Sequence, residues 1–195
     1  MNYSLEELKN HMLQCQACDL YKSRTQVVFG EGNSNPIFMI ISEGPGENED
    51  IQGKPFVGKC GEKLDRILQF IGVTRDQIYI SNSILCHTPN NRLPAQEELD
   101  ACRWRLYLQI KLLKPKFIVA LGKVALLQLL GKPIKGALNQ YFKHNGAFFN
   151  INGENIKGIV SYHPSYLLRN PSSYHVALVH WTFVKKLVEN ELRTV

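Results

Sequence analysis

A chain of 195 residues, 44% hydrophobic and 21% charged, holds enough apolar material for one well-packed core but is too short for two. That balance excludes both disorder and a fibrous repeat. Its formal charge of +6 suits a polyanionic partner without identifying one. No window approaches the ~18 apolar residues of a membrane span, and the N-terminus "MNYSLEELKN" has no basic or apolar signal regions. A single domain over residues 1–195, cytoplasmic, with its five cysteines reduced, is therefore expected.

In chain order, Ser4 and Glu7 have the form of a capping box, and Leu5, Leu8 and Met12 recur at helical spacing, predicting a short helix that leads into Cys15. The run Ile37 to Ile41 is too short for a helix and is bounded by Pro36 and a Gly/Pro turn, as a buried strand would be. Leu64, Ile67, Leu68 and Ile71 mark a helix. "QIYIS" reads as a strand, and Leu99, Cys102, Leu106, Ile110 and Leu113 as a helix face ending near Pro115. "KFIVALG" is a further strand, backed by the helix "KVALLQLLG". A Gly/Asn-rich stretch reads as irregular, "GIVSY" as a fourth strand and "YHVALVHWTFVKKLVENEL" as the closing helix. This alternation predicts an α/β fold, a parallel sheet covered on both faces. The binding crevice of such a sheet lies beyond the carboxyl ends of its strands. Those ends carry "SEGPG", "SNSILC", "LGK" and "SYHPS".

Cys15-x-x-Cys18 brings two thiols within reach of one metal, and Cys86 and Cys102 flank the loop "HTPNNRLP". Together they make a tetrahedral thiolate set that suits zinc or an iron–sulfur cluster. Taken alone, Cys102 sits on an apolar stripe and reads rather as a core residue, but a C-x-x-C after a helix shifts the whole set toward metal. Cys60 has no spacing partner and reads as a small residue at a helix start.

The segments "SEGPGENEDIQGKPFVGKCGEKLDRIL", "YISNSILCHTPNNRLP" and "SYHPSYLLRNP", in this order and with these four cysteines, resemble the family 4 uracil-DNA glycosylases over nearly the whole chain. The resemblance implies a three-layer α/β/α fold with a central four-stranded parallel sheet. It also implies hydrolytic removal of uracil from DNA, and a [4Fe-4S] cluster on Cys15, Cys18, Cys86 and Cys102 that organises structure near the DNA surface.

The residue types suit that chemistry. Cleaving a base from deoxyribose builds positive charge on the sugar and negative charge on the departing uracil. His163, ending a strand, is suited to donate a hydrogen bond to the uracil oxygen where charge accumulates. Asn82 offers one amide donor and one acceptor, which match uracil O4 and N3–H and mismatch cytosine; a turn-forming role is the alternative. The resemblance makes Phe56 the plate on which flipped uracil stacks, where a core aromatic is the plainer account. Gly44, Pro45 and Gly46 form a loop that lets backbone approach the base. Without a G-K-[S/T] ending it is not a phosphate loop. Glu43 is the candidate to position water and favour the cationic sugar. The resemblance lays Glu49 along the C5 edge of uracil against the thymine methyl group. Glu47 and Asp50 read as solvated or helix-start acids. Ser42 stands where the family often has glycine. The water-handling aspartate of the related family 1 enzymes is replaced here by Gly44.

Within "HPSYLLRNP", Ser165 and Arg169 are the expected DNA contacts. Leu167, with Leu168 as the other candidate, is placed by the motif to enter the vacated stack; a core pair in a loop is the equal alternative for these two. Lys54, Lys59 and Arg92 are candidate phosphate contacts. A non-catalytic DNA-binding relative on the same scaffold is the competing reading, against which Phe56, Asn82 and His163 together argue. A relative trapped covalently on the abasic sugar would carry a basic insertion that "HTPNNRLP" lacks, although His87 lies nearby. A zinc-ribbon module would need a more compact cysteine set. The substrate is uracil-containing DNA, single- or double-stranded, with no membrane partner. A monomer is expected, and no motif speaks for or against a sliding clamp.

Overall fold

The computed structural model describes residues 3–131, 147–151 and 153–193, and its elements arise from local chemistry along the chain. The Ser4 hydroxyl accepts from the Glu7 amide at 3.2 Å, while the Glu7 carboxylate accepts from the Ser4 amide at 2.7 Å. This reciprocal cap satisfies donors that a helix start leaves open. It begins α1 (Leu5–Leu13), which buries Leu8 and Met12. A two-residue strand β1 (Glu31–Gly32) precedes β2 (Phe38–Ser42), and the acids behind β2 open a short helix, α2 (Glu47–Gln52). Helix α3 (Lys59–Ile71) buries the predicted Leu64, Ile67, Leu68 and Ile71 and stops at Gly72 in the left-handed region. Then come β3 (Tyr79–Asn82), α4 (Gln96–Leu113), β4 (Phe117–Leu121) and α5 (Gly122–Leu130). The chain closes with β5 (Ala147–Ile151), β6 (Glu154–Ser161), α6 (Pro164–Arg169) and α7 (Tyr174–Arg193).

The strand order is β1-β3-β2-β4-β6-β5. The four central strands run parallel, and β1 and β5 flank them antiparallel. The predicted four-stranded parallel sheet is thus the centre of a wider mixed sheet. Two residues of β1 are too few to show a period. The stretch read as irregular lies mostly outside the described residues, but its end is β5, turned into β6 by the Gly153 amide donating to Asn150 Oδ1 at 3.1 Å. Central strands are buried on both faces, as covered parallel sheets require. Phe38, Ile40, Phe117 and Val119 pack toward α3 and α7, while Met39, Ile41, Ile118 and Ala120 pack toward α4 and α5. A third apolar cluster joins α1 to α4 through Leu8, Met12, Leu85 and Leu99, and takes in Cys86 and Cys102.

From β2 the chain moves to β3 on one side and then returns past β2 to β4 on the other. That reversal leaves a crevice at the carboxyl ends of β2 and β4. In register, Ser42 pairs with Asn82 and Leu121 with Ser161, so the ends of all four parallel strands meet there.

Candidate active site

A cleft of about 490 Å³ opens at these strand ends, a volume typical of small-molecule sites. Glu43, Gly44, Pro45, Gly46, Glu49 and Phe56 supply one wall, and Asn82, His163, Ser165 and Arg169 the facing side. Cys60, read as a helix-start residue, is at the start of α3 and also lines the cleft.

His163 is the N-cap of α6, and the geometry fixes its proton. The Ser165 amide donates to Nδ1 at 3.1 Å, and the Ser165 hydroxyl lies 2.7 Å from the same atom. A ring nitrogen that accepts from a backbone N–H carries no proton, so in the neutral ring the proton is on Nε2. Nε2 lies 2.8 Å from Ser42 Oγ at the cleft wall and donates to it. Burial, and secondarily the Arg169 guanidinium, hold the His163 pKa down to about 4. Part of the ring meets solvent through the cleft, yet the dense protein around it still penalises imidazolium. At neutral pH His163 is therefore a neutral N–H donor at the cleft wall.

The acids behind β2 divide by environment. Burial raises the Glu43 pKa, and Arg169 partly offsets the rise. Glu49 Oε1 accepts from the Val57 and Gly58 amides at 2.9 and 3.3 Å, and Oε2 from the Gly46 amide at 3.1 Å. It thus ties the start of α2 to the segment after Phe56. Asp50 is a helix-start acid in the first turn of α2, but it is not solvated. It is 5% exposed and accepts from the Thr25 amide at 2.8 Å. The glycines also serve neighbours other than a ligand. A Cβ on Gly44 would meet Ile84 at 2.8 Å, and one on Gly46 would meet the Glu49 carboxylate at 2.6 Å.

Phe56 is held with φ of 54°, a conformation that costs a bulky residue free energy unless its surroundings impose it. Arg75 Nη2 donates to the Phe56 carbonyl at 2.8 Å while its Nε pairs with Asp65 at 2.6 Å. On the other side, a Cβ on Gly61 would come within 1.9 Å of that carbonyl, so only glycine fits there. These contacts set the ring 5.9 Å from the His163 ring, tilted by 31°.

Asn82 is 2% exposed at the last position of β3, and among the described residues no side chain bonds its amide. The chain beyond it stays tied to β2: the Ser83 amide donates to the Ser42 carbonyl at 2.8 Å and the Ile84 amide to the Glu43 carbonyl at 3.2 Å. Sequence reasoning missed Ile84, Thr88, Asn91, Leu93 and Pro94, all of which line the cleft. Their signal was the loop "TPNNRLP", where Asn90 and Asn91 take φ of 56° and 54° and so fold it back over the strand ends. Arg92, read as a phosphate contact, forms a two-pronged pair with Glu98 at 2.9 and 2.6 Å that holds this loop on α4.

The rim corrects one expectation. Leu167 is 1% exposed, within the core cluster that also holds Leu64 and Trp181, because α6 turns it inward. The neighbouring Leu168 is 41% exposed. Arg169 is exposed at the mouth, as are Lys54 and Lys59 on the surface.

Away from this cleft, Cys15, Cys18, Cys86 and Cys102 line one small cavity with Met12, Arg24 and Leu85. Cys60 is not among them. Burial pushes the Cys86 thiol up to about 11, opposed by Arg24, whose Nη1 lies 3.2 Å from Cys86 Sγ. Among the described residues no three His, Cys, Asp or Glu side chains form a group that could hold a single metal ion. Four thiols lining one cavity are a donor set that an iron–sulfur cluster takes.

Residues 29–187 match the family model described as the uracil DNA glycosylase superfamily. The type-4 uracil-DNA glycosylase of Saccharolobus solfataricus is 36% identical over 98% of this chain and 85% of its own. That of Thermotoga maritima is 38% identical over 88% of each chain, and that of Pyrobaculum aerophilum 37% over 86% of each.

Proposed function

The chain belongs to the type-4 group of the uracil-DNA glycosylase superfamily, and from that premise we propose how its residues divide the work of hydrolysing the bond between uracil and deoxyribose in DNA. The reaction releases uracil, leaves an abasic site and so begins base-excision repair. One observation carries the assignment of roles: His163 is locked as a neutral donor with its Nε2 proton directed at the cleft wall. A neutral donor of lowered pKa stabilises negative charge growing on the uracil oxygen without first delivering its proton. The Ser42 hydroxyl, now accepting that proton, yields its place to the uracil oxygen. Asn82, with its amide open to a ligand, reads the O4 and N3–H edge. Phe56 stacks on the base, and Gly44, Pro45 and Gly46 line its approach.

Glu43 acts on the sugar side. As a carboxylate in a partly desolvated wall it favours the cationic sugar and orients water for attack on C1′. Glu49 shapes the C5 side through its three amide bonds, leaving little space for a methyl group. At the mouth Leu168 is the wedge that replaces the extruded base, and Ser165, Arg169, Lys54 and Lys59 hold phosphates. The chain works as a monomer.

Cys15, Cys18, Cys86 and Cys102 hold a [4Fe-4S] cluster. When bound, the cluster supplies a cross-link between the end of α1, the segment after β3 and α4, and no step of hydrolysis passes through it.

Purified protein mixed with single-stranded DNA carrying one uracil, followed by alkali, tests the reading. Breakage at uracil and not at thymine or cytosine in matched strands is expected. An intact strand from protein with the brown absorbance of a filled cluster would overturn it in favour of a non-catalytic relative.

A further inference from the structure

Arg105, on the buried face of α4, is 0% exposed. Isolated burial of a guanidinium is costly unless it is hydrogen-bonded and its charge is balanced. Its bonds are numerous but neutral. Nη1 donates to Gln109 Oε1 at 2.7 Å and to Ser81 Oγ at 3.2 Å, and Nη2 donates to the backbone carbonyls of Asn82 and Ser83 at 3.0 and 3.1 Å. No carboxylate is among these partners, and Nε is buried without one. Cys102 lies one helical turn earlier on the same buried face of α4. Arg24 Nη1 approaches Cys86 Sγ at 3.2 Å. One guanidinium therefore touches a cysteine of the set and a second is buried one turn from another. Four thiolates on a [4Fe-4S] core make a net anion, the charge that this pair lacks.

We propose that Arg105 is the internal counter-ion of the four-cysteine centre and a positioning residue for Asn82, joining occupancy of that centre to the uracil-reading end of β3. The inference rests on the cluster and on the role given to Asn82 above. Arg105 follows the cysteine that α4 contributes by one helical turn on the same buried face, and its Nη2 fixes the carbonyls of Asn82 and Ser83, where the strand becomes loop. Gln109 and Gln128 complete the frame: Gln109 Nε2 donates to the Phe29 carbonyl at 3.0 Å, and Gln128 Nε2 to the Leu99 carbonyl at 2.7 Å and the Ser83 carbonyl at 3.3 Å. Losing the charge exposes the cluster to attack. Losing the planar fork frees Asn82 to rotate, so it no longer distinguishes the two edges of the base.

Two variants of the cluster-loaded protein separate these consequences, because lysine keeps the charge but cannot hold two carbonyls and two side chains at once. In Arg105→Met, cluster absorbance should bleach about tenfold faster under a chelator. Uracil excision should also fall by about tenfold or more, mainly in kcat. In Arg105→Lys the bleaching rate should return near that of the unaltered protein while the excision defect persists. Should Arg105→Met not fold, the lysine variant alone still tests the positioning role through kcat. Unaltered bleaching in Arg105→Met overturns the counter-ion assignment, and unaltered excision in Arg105→Lys overturns the positioning assignment. Absence of uracil excision in the unaltered protein counts against the enzyme reading instead, and absence of cluster absorbance there counts against the cluster.

Discussion

The cleft at the strand ends and the cysteine cavity behind α4 are built on opposite plans. The cleft is complete in the protein alone: register places Ser42 beside Asn82, Ser165 fixes the His163 tautomer, and Arg75 with Gly61 imposes the Phe56 backbone. The cysteine cavity draws Cys15 and Cys18 from the stretch after α1, Cys86 from the loop beyond β3 and Cys102 from α4, and burial raises the pKa of the Cys18 and Cys86 thiols within it. A sheet can preorganise donors because its ladder fixes every strand end. Separate loops and helices need an occupant to tie them together. Changes in the cleft should therefore cost turnover and spare stability, whereas changes in the cavity should cost stability first.

The sharpest test of that contrast is His163→Ala. Removal of one preorganised donor should lower excision by about 10²–10³, with little loss in thermal unfolding temperature. A large fall in that temperature would break the contrast from the cleft side. Next in size, Cys86→Ser should lose cluster absorbance and lower the unfolding temperature by several degrees. Hydrogen exchange should quicken in α1 and α4 while β2 and β4 stay protected. Faster exchange in β2 would show that the two regions are not independent.

Glu43→Gln sharpens the contrast through pH. Burial raises the Glu43 pKa, so between the ordinary glutamate value and the raised one the folded protein binds more protons than the unfolded chain. Stability then falls as pH rises through that interval and stays lower above it. The variant should unfold at a higher temperature than the unaltered protein at neutral pH, while excising uracil more slowly and losing the acid limb of the rate profile. His163 has the opposite sign: with a folded pKa of about 4 against 6.5, stability is lost as pH falls from 6.5 toward 4, because the unfolded chain takes up the proton first. The smallest effect is at the rim. Leu168→Ala should lower excision from duplex DNA by about tenfold and leave single strands nearly unaffected, since the wedge offsets a cost that single strands do not incur.

The sequence shows the parts that rest on local patterning and hides those that rest on long-range partners. The capping box at Ser4, the stripe from Leu64 to Ile71 and the four parallel strands were all legible, because periodicity and burial go together in those segments. The partners of Asp50 and Arg92 were hidden for one shared reason. Nothing in a local polar stretch announces the Thr25 amide or the Glu98 carboxylate that each meets in the fold. Arg105 and Gln109 were invisible because α4 presents a polar stripe inward, against the rule that buried helix faces are apolar. Leu167 and Leu168 are equivalent on paper, and only the direction of α6 tells the inward one from the outward one.

That last pair has a mechanical side. An apolar wedge that opens a base step is pushed back by the stacking it displaces, and a wedge on a free loop would recoil. Here the residue just before the exposed leucine is sunk in the core cluster that α3 and α7 build, and the turn that carries both is capped by His163. In the role proposed above for Leu168, the thrust would pass through an anchored neighbour into the body of the molecule. The same turn bears His163, so the proposed wedge and the proposed donor to uracil share one support.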